Sequence, residues 1–298
     1  MRSKWGGGVR RFWSWIAVAG VALVLACAVS WVFGGRMVRG ERSAVAYAVP
    51  PAQDFTLKAA DGITLAATYW PGRTERAPGV LLLHGNGASR ATMADNARWL
   101  AAQGYAVFTV DFRGHGQSDL TSRSFGLHES RDAAAAFAWL KHRQQGARIG
   151  VVGVSLGGAA SLLGEEGPLA ADALVLQAVY PDIRHAVRNR IASIAGAMPA
   201  WAIEPWLSFQ SLPRWGVWPG RISPVEAIRS YRGPVLVIGG GEDAYTPPAE
   251  TRALCKAAPG PKAMWIVDGL DHAHVSALSN PEYRAKVGAF LSDRIGTP

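Results

Sequence analysis

Five residues in this chain have the types and spacing for nucleophilic chemistry, Gly153-Val154-Ser155-Leu156-Gly157. The pattern is G-x-S-x-G, a sharp turn from strand to helix with a serine at its apex. Such a turn strains the serine backbone so that the hydroxyl projects above a sheet. Glycines on either side let strand and helix pass close to one another. The pattern alone is a weak signal. Its setting strengthens it, because Ile149, Val151 and Val152 are strand-like and the residues from Leu156 to Leu163 are small and apolar. A serine hydroxyl is a poor nucleophile near neutral pH. It needs a base within hydrogen-bond reach, and the base needs a carboxylate to orient it.

Other elements must hold such groups in place. Strand patterns cover 54–59 and 63–70, with Asp61-Gly62 between them as a hairpin signal. The continuous apolar run 79–83 reads as a strand buried on both faces, and His84-Gly85-Asn86-Gly87 follows it. A helix is expected over 89–103, with Ser89 as its N-cap. The strand 105–110 ends in Asp111-Phe112-Arg113-Gly114-His115-Gly116-Gln117-Ser118. An alanine-rich helix over 130–145, strands over 149–153, 173–178, 235–239 and 263–267, and a last helix over 281–295 complete the series. Strands alternating with helices predict an α/β fold, a mostly parallel sheet with helices on both faces. Ligands of such sheets bind outside the carboxyl ends of the strands. His84, Asp111, Ser155 and Asp243 all fall at or just past such ends.

Composition limits the alternatives. Of 298 residues 49% are apolar, which excludes a wholly disordered chain. About 250 residues remain beyond the N-terminal segment, enough for one α/β domain. The formal net charge is +9. Residues 1–42 hold seven basic residues and the single acid Glu41, a balance of +6, which leaves +3 for the rest. The basicity therefore flanks an apolar segment, where it suits anionic headgroups. No basic stripe interleaved with aromatics favours nucleic acid. Cys27 and Cys255 give no disulfide framework. His115, His128, His142 and His185 lack metal-ligand spacing, so no metal is expected. The glycines around Ser155 belong to the turn and leave no dinucleotide fingerprint, so no cofactor is expected either.

The residues 12–33 form an uncharged run long enough to cross a bilayer as a helix, with Trp13 and Trp15 at one end and Trp31 at the other. It is expected to be a single-pass anchor behind a basic flank, residues 1–11. A cleaved signal peptide is the main competitor, since Ala26-Cys27-Ala28 resembles a cleavage site, and Val24-Leu25-Ala26-Cys27 loosely resembles a lipidation box. Positive charges number four before the span and three after it, a slight bias toward a cytoplasmic N-terminus and an exported domain. Residues 34–53, ending in Pro50-Pro51, are expected to be a linker that spaces the domain from the membrane and is expendable up to about residue 44.

Taken together, the element order over 54–296, the His84-Gly85-Asn86-Gly87 loop, the Asp111–Ser118 loop, the serine turn, Gly239-Gly240-Gly241-Glu242-Asp243 and Asp268-Gly269-Leu270-Asp271-His272 resemble the α/β-hydrolase superfamily. Within it, the chain looks most like membrane-anchored serine-aminopeptidase-like and monoglyceride-lipase-like hydrolases. The resemblance implies a triad in the chain order serine, acid, histidine. Gly-x-x-Asp spacing places the acid on Asp243 rather than Glu242, with Asp182 a remoter alternative. Gly-x-x-His spacing from Gly269 selects His272 over His274. The oxyanion of the acyl intermediate would take the backbone N–H groups of Leu156 and Asn86. By the same resemblance His84 supports its loop, and Asp111 and Arg113 are tied in beneath the site by hydrogen bonds.

Between 180 and 233 an insertion interrupts the strand and helix rhythm, where hydrolases of this kind carry a lid. It holds Trp201, Trp206, Trp215 and Trp218, which could line an acyl pocket, meet the membrane, or form the lid's own core. Arg184, Arg188 and Arg190 could meet an anion or form a solvated helix face. The resulting expectation is a membrane-anchored serine hydrolase acting on a lipophilic ester or acylated substrate. A peptidase using Glu204 or Glu226 to hold an amino group, and an inactive hydrolase-fold scaffold, are the alternatives.

Overall fold

The computed structural model describes residues 6–165 and 167–298, with side chains from residue 11 onward except at 166. The apolar runs form eight strands: β1 (Gln53–Lys58), β2 (Thr64–Trp70), β3 (Gly79–Leu83), β4 (Ala106–Val110), β5 (Ile149–Val154), β6 (Ala173–Gln177), β7 (Val235–Gly240) and β8 (Lys262–Val267). They make one sheet in the order β1-β2-β4-β3-β5-β6-β7-β8. The first hairpin turns through Asp61-Gly62, as expected, and β2 runs antiparallel to both its neighbours. All other pairs are parallel. The α-helices in chain order are α1 (Gly6–Met37), α2 (Ala94–Gln103), α3 (Glu129–Arg143), α4 (Leu156–Leu162), α5 (Ile183–Ala195), α6 (Ala197–Ser208), α7 (Ser211–Trp215), α8 (Pro224–Ala227), α9 (Pro248–Ala257), α10 (His272–Ser276) and α11 (Pro281–Ile295).

Strands β3 to β6 are buried along their whole length, and their alternating side chains feed two cores. Leu81, Leu83 and Val151 pack with residues of α3, α4 and α9 on one face. Val80, Leu82 and Val152 pack with residues of α2, α10 and α11 on the other. The helix expected from Ser89 starts differently. A 3-10 turn covers Arg90–Met93, α2 begins at Ala94, and the Ser89 side chain caps nothing. The Arg90 N–H, the first free donor of this turn, donates to Asp111 Oδ1 at 2.6 Å.

Helix α1 has an 18-residue window of mean hydropathy 2.5 within Arg11–Met37, a composition that anchors and signal sequences share. Its residues 11–29 are exposed. Arg2, Lys4 and the Arg10 side chain lie outside the described residues. The helix continues four residues past the expected end at Phe33, and from Ser30 onward it meets the domain. Ser30 Oγ donates to Trp206 O at 2.9 Å, and Gln210 Nε2 donates to Ser30 O at 2.9 Å. Arg214 Nη2 donates to Trp31 O at 2.7 Å, with the guanidinium 3.8 Å from the Trp31 ring centroid. Gly34 lies where any Cβ would strike Gln210, so glycine permits this approach.

The stretch that follows is not the free spacer expected of it. Arg123 N–H donates to Val38 O at 2.7 Å, Glu41 N–H to Gly114 O at 2.9 Å and Ser43 N–H to Gly116 O at 3.0 Å. Gln117 Nε2 reaches Val45 O at 3.3 Å. These backbone groups find partners in the loops after β4, so residues 38–45 are bound along the domain.

Candidate active site

The turn from β5 into α4 brings strand and helix into close contact. A Cβ on Gly153 would lie 2.6 Å from Gly158 backbone, and one on Gly157 would strike the Leu83 carbonyl. Ser155 at the apex has φ +48° and ψ −108°, a strained conformation for a residue with a side chain. Its N–H donates to Gln177 O at 2.8 Å, which ties the turn to β6.

Two strands further along the sheet, the turn after β7 carries Asp243, with only 1% of its surface exposed. Its Oδ1 accepts the N–H groups of Tyr245 at 2.8 Å and Thr246 at 2.7 Å. Its Oδ2 accepts from His272 Nδ1 at 2.8 Å. An Nδ1–H bonded in this way leaves His272 Nε2 as the free acceptor of the ring. Ser155, His272, Asn86 and Leu156 all border one cavity of about 260 Å³. Among the described residues Ser155 Oγ makes no hydrogen bond to His272, an open spacing common before substrate arrives.

The competitors lie elsewhere. His274 is 74% exposed and pairs with Asp271 at 2.8 Å. Glu242 is exposed, and Asp182 caps α5 and holds His185 Nδ1 at 2.7 Å. His84 is fully buried. Its Nδ1–H donates to Gly85 O at 2.8 Å and its Nε2 accepts from Phe112 N–H at 3.1 Å. Burial lowers its pKa to about 4, so it stays neutral and fixes the loop that carries Asn86. Asp111 accepts from the Arg90 and Gln117 N–H groups and pairs with the Arg90 guanidinium, while Arg113 forks onto Asp132 and Asp61. That loop is tied in beneath the site, as the resemblance implied.

Residues 74–218 match the family described as serine aminopeptidase, S33. An uncharacterised protein of Mycobacterium tuberculosis is 30% identical over 250 residues, 82% of this chain and 81% of its own. The lysophosphatidylserine lipase ABHD12 of Rattus norvegicus is 32% identical over 123 residues, 39% of this chain and 30% of its own. A Pyrococcus furiosus esterase, Pf2001, superposes with a TM-score of 0.69 at 21% identity, covering 87% of this chain and 98% of that one.

The chain belongs to the α/β-hydrolase superfamily. In this hydrolase the insertion over 180–233 is built mainly of the helices α5 to α8. Helices α5 and α6 pack together around Glu204, which is fully buried. Arg184 Nε donates to Glu204 Oε1 at 2.9 Å, Arg188 Nη2 to Oε2 at 3.2 Å, and Ser208 Oγ to Oε1 at 2.5 Å. Arg190 is separate from that cluster. It borders the cavity, with its guanidinium 4.2 Å from the Tyr245 ring centroid.

None of the insertion's four tryptophans lines the cavity among the described residues. Trp215 packs against Phe125, with ring centroids 6.3 Å apart, and belongs to the lid's core. Trp201, Trp206 and Trp218 point outward. The apolar wall comes instead from Met37, Phe125, Tyr180 and Ala186. Met37 ends the apolar helix α1, and no sequence pattern pointed to it. Arg123 and Tyr245 were missed as well. Tyr245 stands two residues past Asp243, where proximity in sequence was the available signal. A narrow pocket of about 20 Å³ shares Met37 and Phe125 with the cavity and extends to Gly34 and Leu207, where α1 meets the lid.

Proposed function

We propose that this hydrolase is a membrane-anchored serine esterase that cleaves a carboxylic ester of a lipophilic or acylated substrate through an acyl-enzyme. Ser155 Oγ attacks the ester carbonyl while His272 Nε2 takes its proton. Asp243 holds the imidazole in the tautomer that can do so and stabilises the imidazolium that forms. The oxyanion takes the backbone N–H groups of Leu156 and Asn86, each worth about 10²–10³ in rate. Collapse expels the alcohol, which receives the proton from His272. Water, deprotonated by the same histidine, then attacks the acyl-enzyme, releasing the acid and restoring Ser155.

The observation that carries this reading is the 2.8 Å bond from His272 to buried Asp243, in a cavity shared with the strained Ser155. An aminopeptidase would need a free acid for the substrate's amino group. Glu204 is enclosed by two arginines and a serine, and Glu226 borders a different pocket. A complete set of catalytic groups likewise favours an enzyme over a scaffold. The lysophosphatidylserine lipase among the relatives supports an acylated lipid as the substrate type.

In this reading residues 12–33 span the bilayer, 54–296 form the hydrolase domain, 180–233 its lid, and the domain lies on the exported side. The lid supports membrane contact. It holds α1 at Ser30 and Trp31, and Met198, Trp201, Trp206 and Phe209 of the adjoining α6 segment are exposed. A helix held at that level stands at the headgroups. A fluorophosphonate probe should label the wild type and not Ser155→Ala, and ester hydrolysis should fall by roughly 10⁴–10⁶ in the variant. Labelling that survives Ser155→Ala, or a folded wild type that never labels, would sink the proposal.

A further inference from the structure

The charges around the cavity are one-sided. Arg123 and Arg190 both border it, and among its described lining residues there is no Asp or Glu. Asp243 lies beneath, with its carboxylate oxygens committed to Tyr245, Thr246 and His272.

Neither arginine makes an ion pair among the described residues, unlike Arg184 and Arg188 nearby. Arg123 Nη1 makes one long hydrogen bond, 3.4 Å to Asn86 Oδ1. Its Nε is buried with no acceptor among the described residues. Burial disfavours the charged form of this guanidinium, and Glu41 and Glu129 offset that only from a distance. Buried unpaired donors and uncompensated cations are costly, and a bound anion would remove both costs. Among the described residues the exposed Arg190 guanidinium meets only the Tyr245 face, which leaves its N–H groups free to meet a ligand.

The remaining wall is apolar on the side of Met37, Phe125 and Ala186. The same chamber thus offers an apolar surface, a serine and a pair of cations.

We infer that Arg123 and Arg190 form an anion subsite beside Ser155, and that the preferred substrate is an ester carrying a negative charge near its scissile carbonyl. This inference rests on the serine-esterase reading. A phosphate on an acylated lipid and a carboxylate on a small soluble ester share the required chemistry. Arg123 stands next to Asn86, so an anion held there would lie beside the reacting carbonyl and orient it.

The test uses the full-length protein in neutral detergent micelles and two matched pairs of esters. One pair is monooleoyl glycerol and its 3-phosphate. The other is phenyl butyrate and 3-butyryloxybenzoate. The wild type should prefer the charged member of at least one pair in kcat/KM. Preference confined to the first pair identifies a lipid phosphate, and preference in both identifies a general anion site. Arg123→Gln and Arg190→Gln should each cut the charged-to-neutral ratio by roughly tenfold, mostly through KM, and Arg123→Lys should restore part of it. A cooperative melting transition within a few degrees of the wild type certifies that each variant stays folded. Equal loss on charged and neutral esters, or a wild type that hydrolyses neutral esters at least as well, overturns the anion subsite while leaving the esterase standing. No hydrolysis of any ester, with no labelling at Ser155, overturns the esterase reading beneath it.

Discussion

On the sheet side of the cavity, Ser155 and Asp243 stand at the ends of strands whose neighbours are fixed by parallel ladders, and His272 is pinned to Asp243. On the lid side, Met37, Ala186 and Arg190 come from helices that pack on one another around the Glu204 cluster and on the end of α1. The sheet side depends on backbone pairing and buried hydrogen bonds; the lid side depends on a few long side chains and on the helix proposed to enter the membrane. Under the esterase reading, the chemistry sits where geometry is least adjustable, and substrate choice sits where it can follow the bilayer.

The largest effect should come from breaking the sheet side. Asp243→Asn keeps the shape of the turn but loses the charge that sets the histidine tautomer. We expect kcat to fall by about 10⁴, with an unchanged melting temperature. His274→Ala, on an exposed residue, should fall within about twofold of wild type. A loss in His274→Ala as large as that in Asp243→Asn would show that His272 is not the base. On the lid side, Glu204→Gln leaves Arg184 and Arg188 without a charged partner. A local cost of about 2–3 kcal/mol is expected, read as faster proteolysis between 183 and 215 with the sheet domain intact. Loss of the whole domain's folding transition would mean that the two sides are one cooperative unit.

These differences also account for what the sequence made visible. Strands β3 to β7 were legible because burial on both faces demands continuous apolar runs, and α11 because an Asn and a Pro mark its start. Ser155, Asp243 and His272 were legible as candidates because each follows a strand in a glycine-bearing turn. The lid side was not. Met37 follows a glycine pair beyond the apolar run, and it is Gly34 of that pair that lies against Gln210, distant in the chain. Arg184, Arg188 and Arg190 look alike in sequence, and only the fold of α6 assigns two of them to Glu204. Ser89 has a cap's residue type, yet its side chain caps nothing, and the turn is anchored instead by Asp111 from the next strand end, which accepts the Arg90 N–H.

A smaller effect tests what supports the sheet side. His84 has its pKa lowered from 6.5 to about 4 by burial. Its contribution is fully present above about pH 6.5 and is lost as pH falls toward 4, because the unfolded state takes the proton first. Between pH 7 and 5 the His84 share of the loss should be about 2 kcal/mol, in a window where most carboxylates stay ionised, and His115, whose pKa burial lowers to about 3, adds a share of its own. Urea midpoints of wild type and His84→Gln at the two pH values measure the His84 share by difference. His84→Gln should be less stable at pH 7 but show a shallower pH slope. An unaltered slope would remove His84 from the account and leave the acid sensitivity to other groups, His115 first among them.

The smallest expected effect bears most directly on how the two sides are joined. Met37 belongs to α1, yet it borders the cavity that holds Ser155 and the narrow pocket between α1 and the lid. Trimming it to alanine removes about three heavy-atom groups of apolar wall, worth roughly 1–2 kcal/mol if an acyl chain lies against it. For Met37→Ala, kcat/KM on a dodecanoyl ester should fall about 5- to 10-fold more than on an acetyl ester, because only the long chain reaches that wall. A chain that begins at residue 44 lacks Met37 and the paired stretch from Val38 to Ser43, and it should lose the same discrimination and also stability. If the two ester lengths respond equally to Met37→Ala, the helix end merely props the lid. If neither responds, the acyl chain runs elsewhere, and the contact between α1 and the lid serves to orient the domain rather than to shape its substrate.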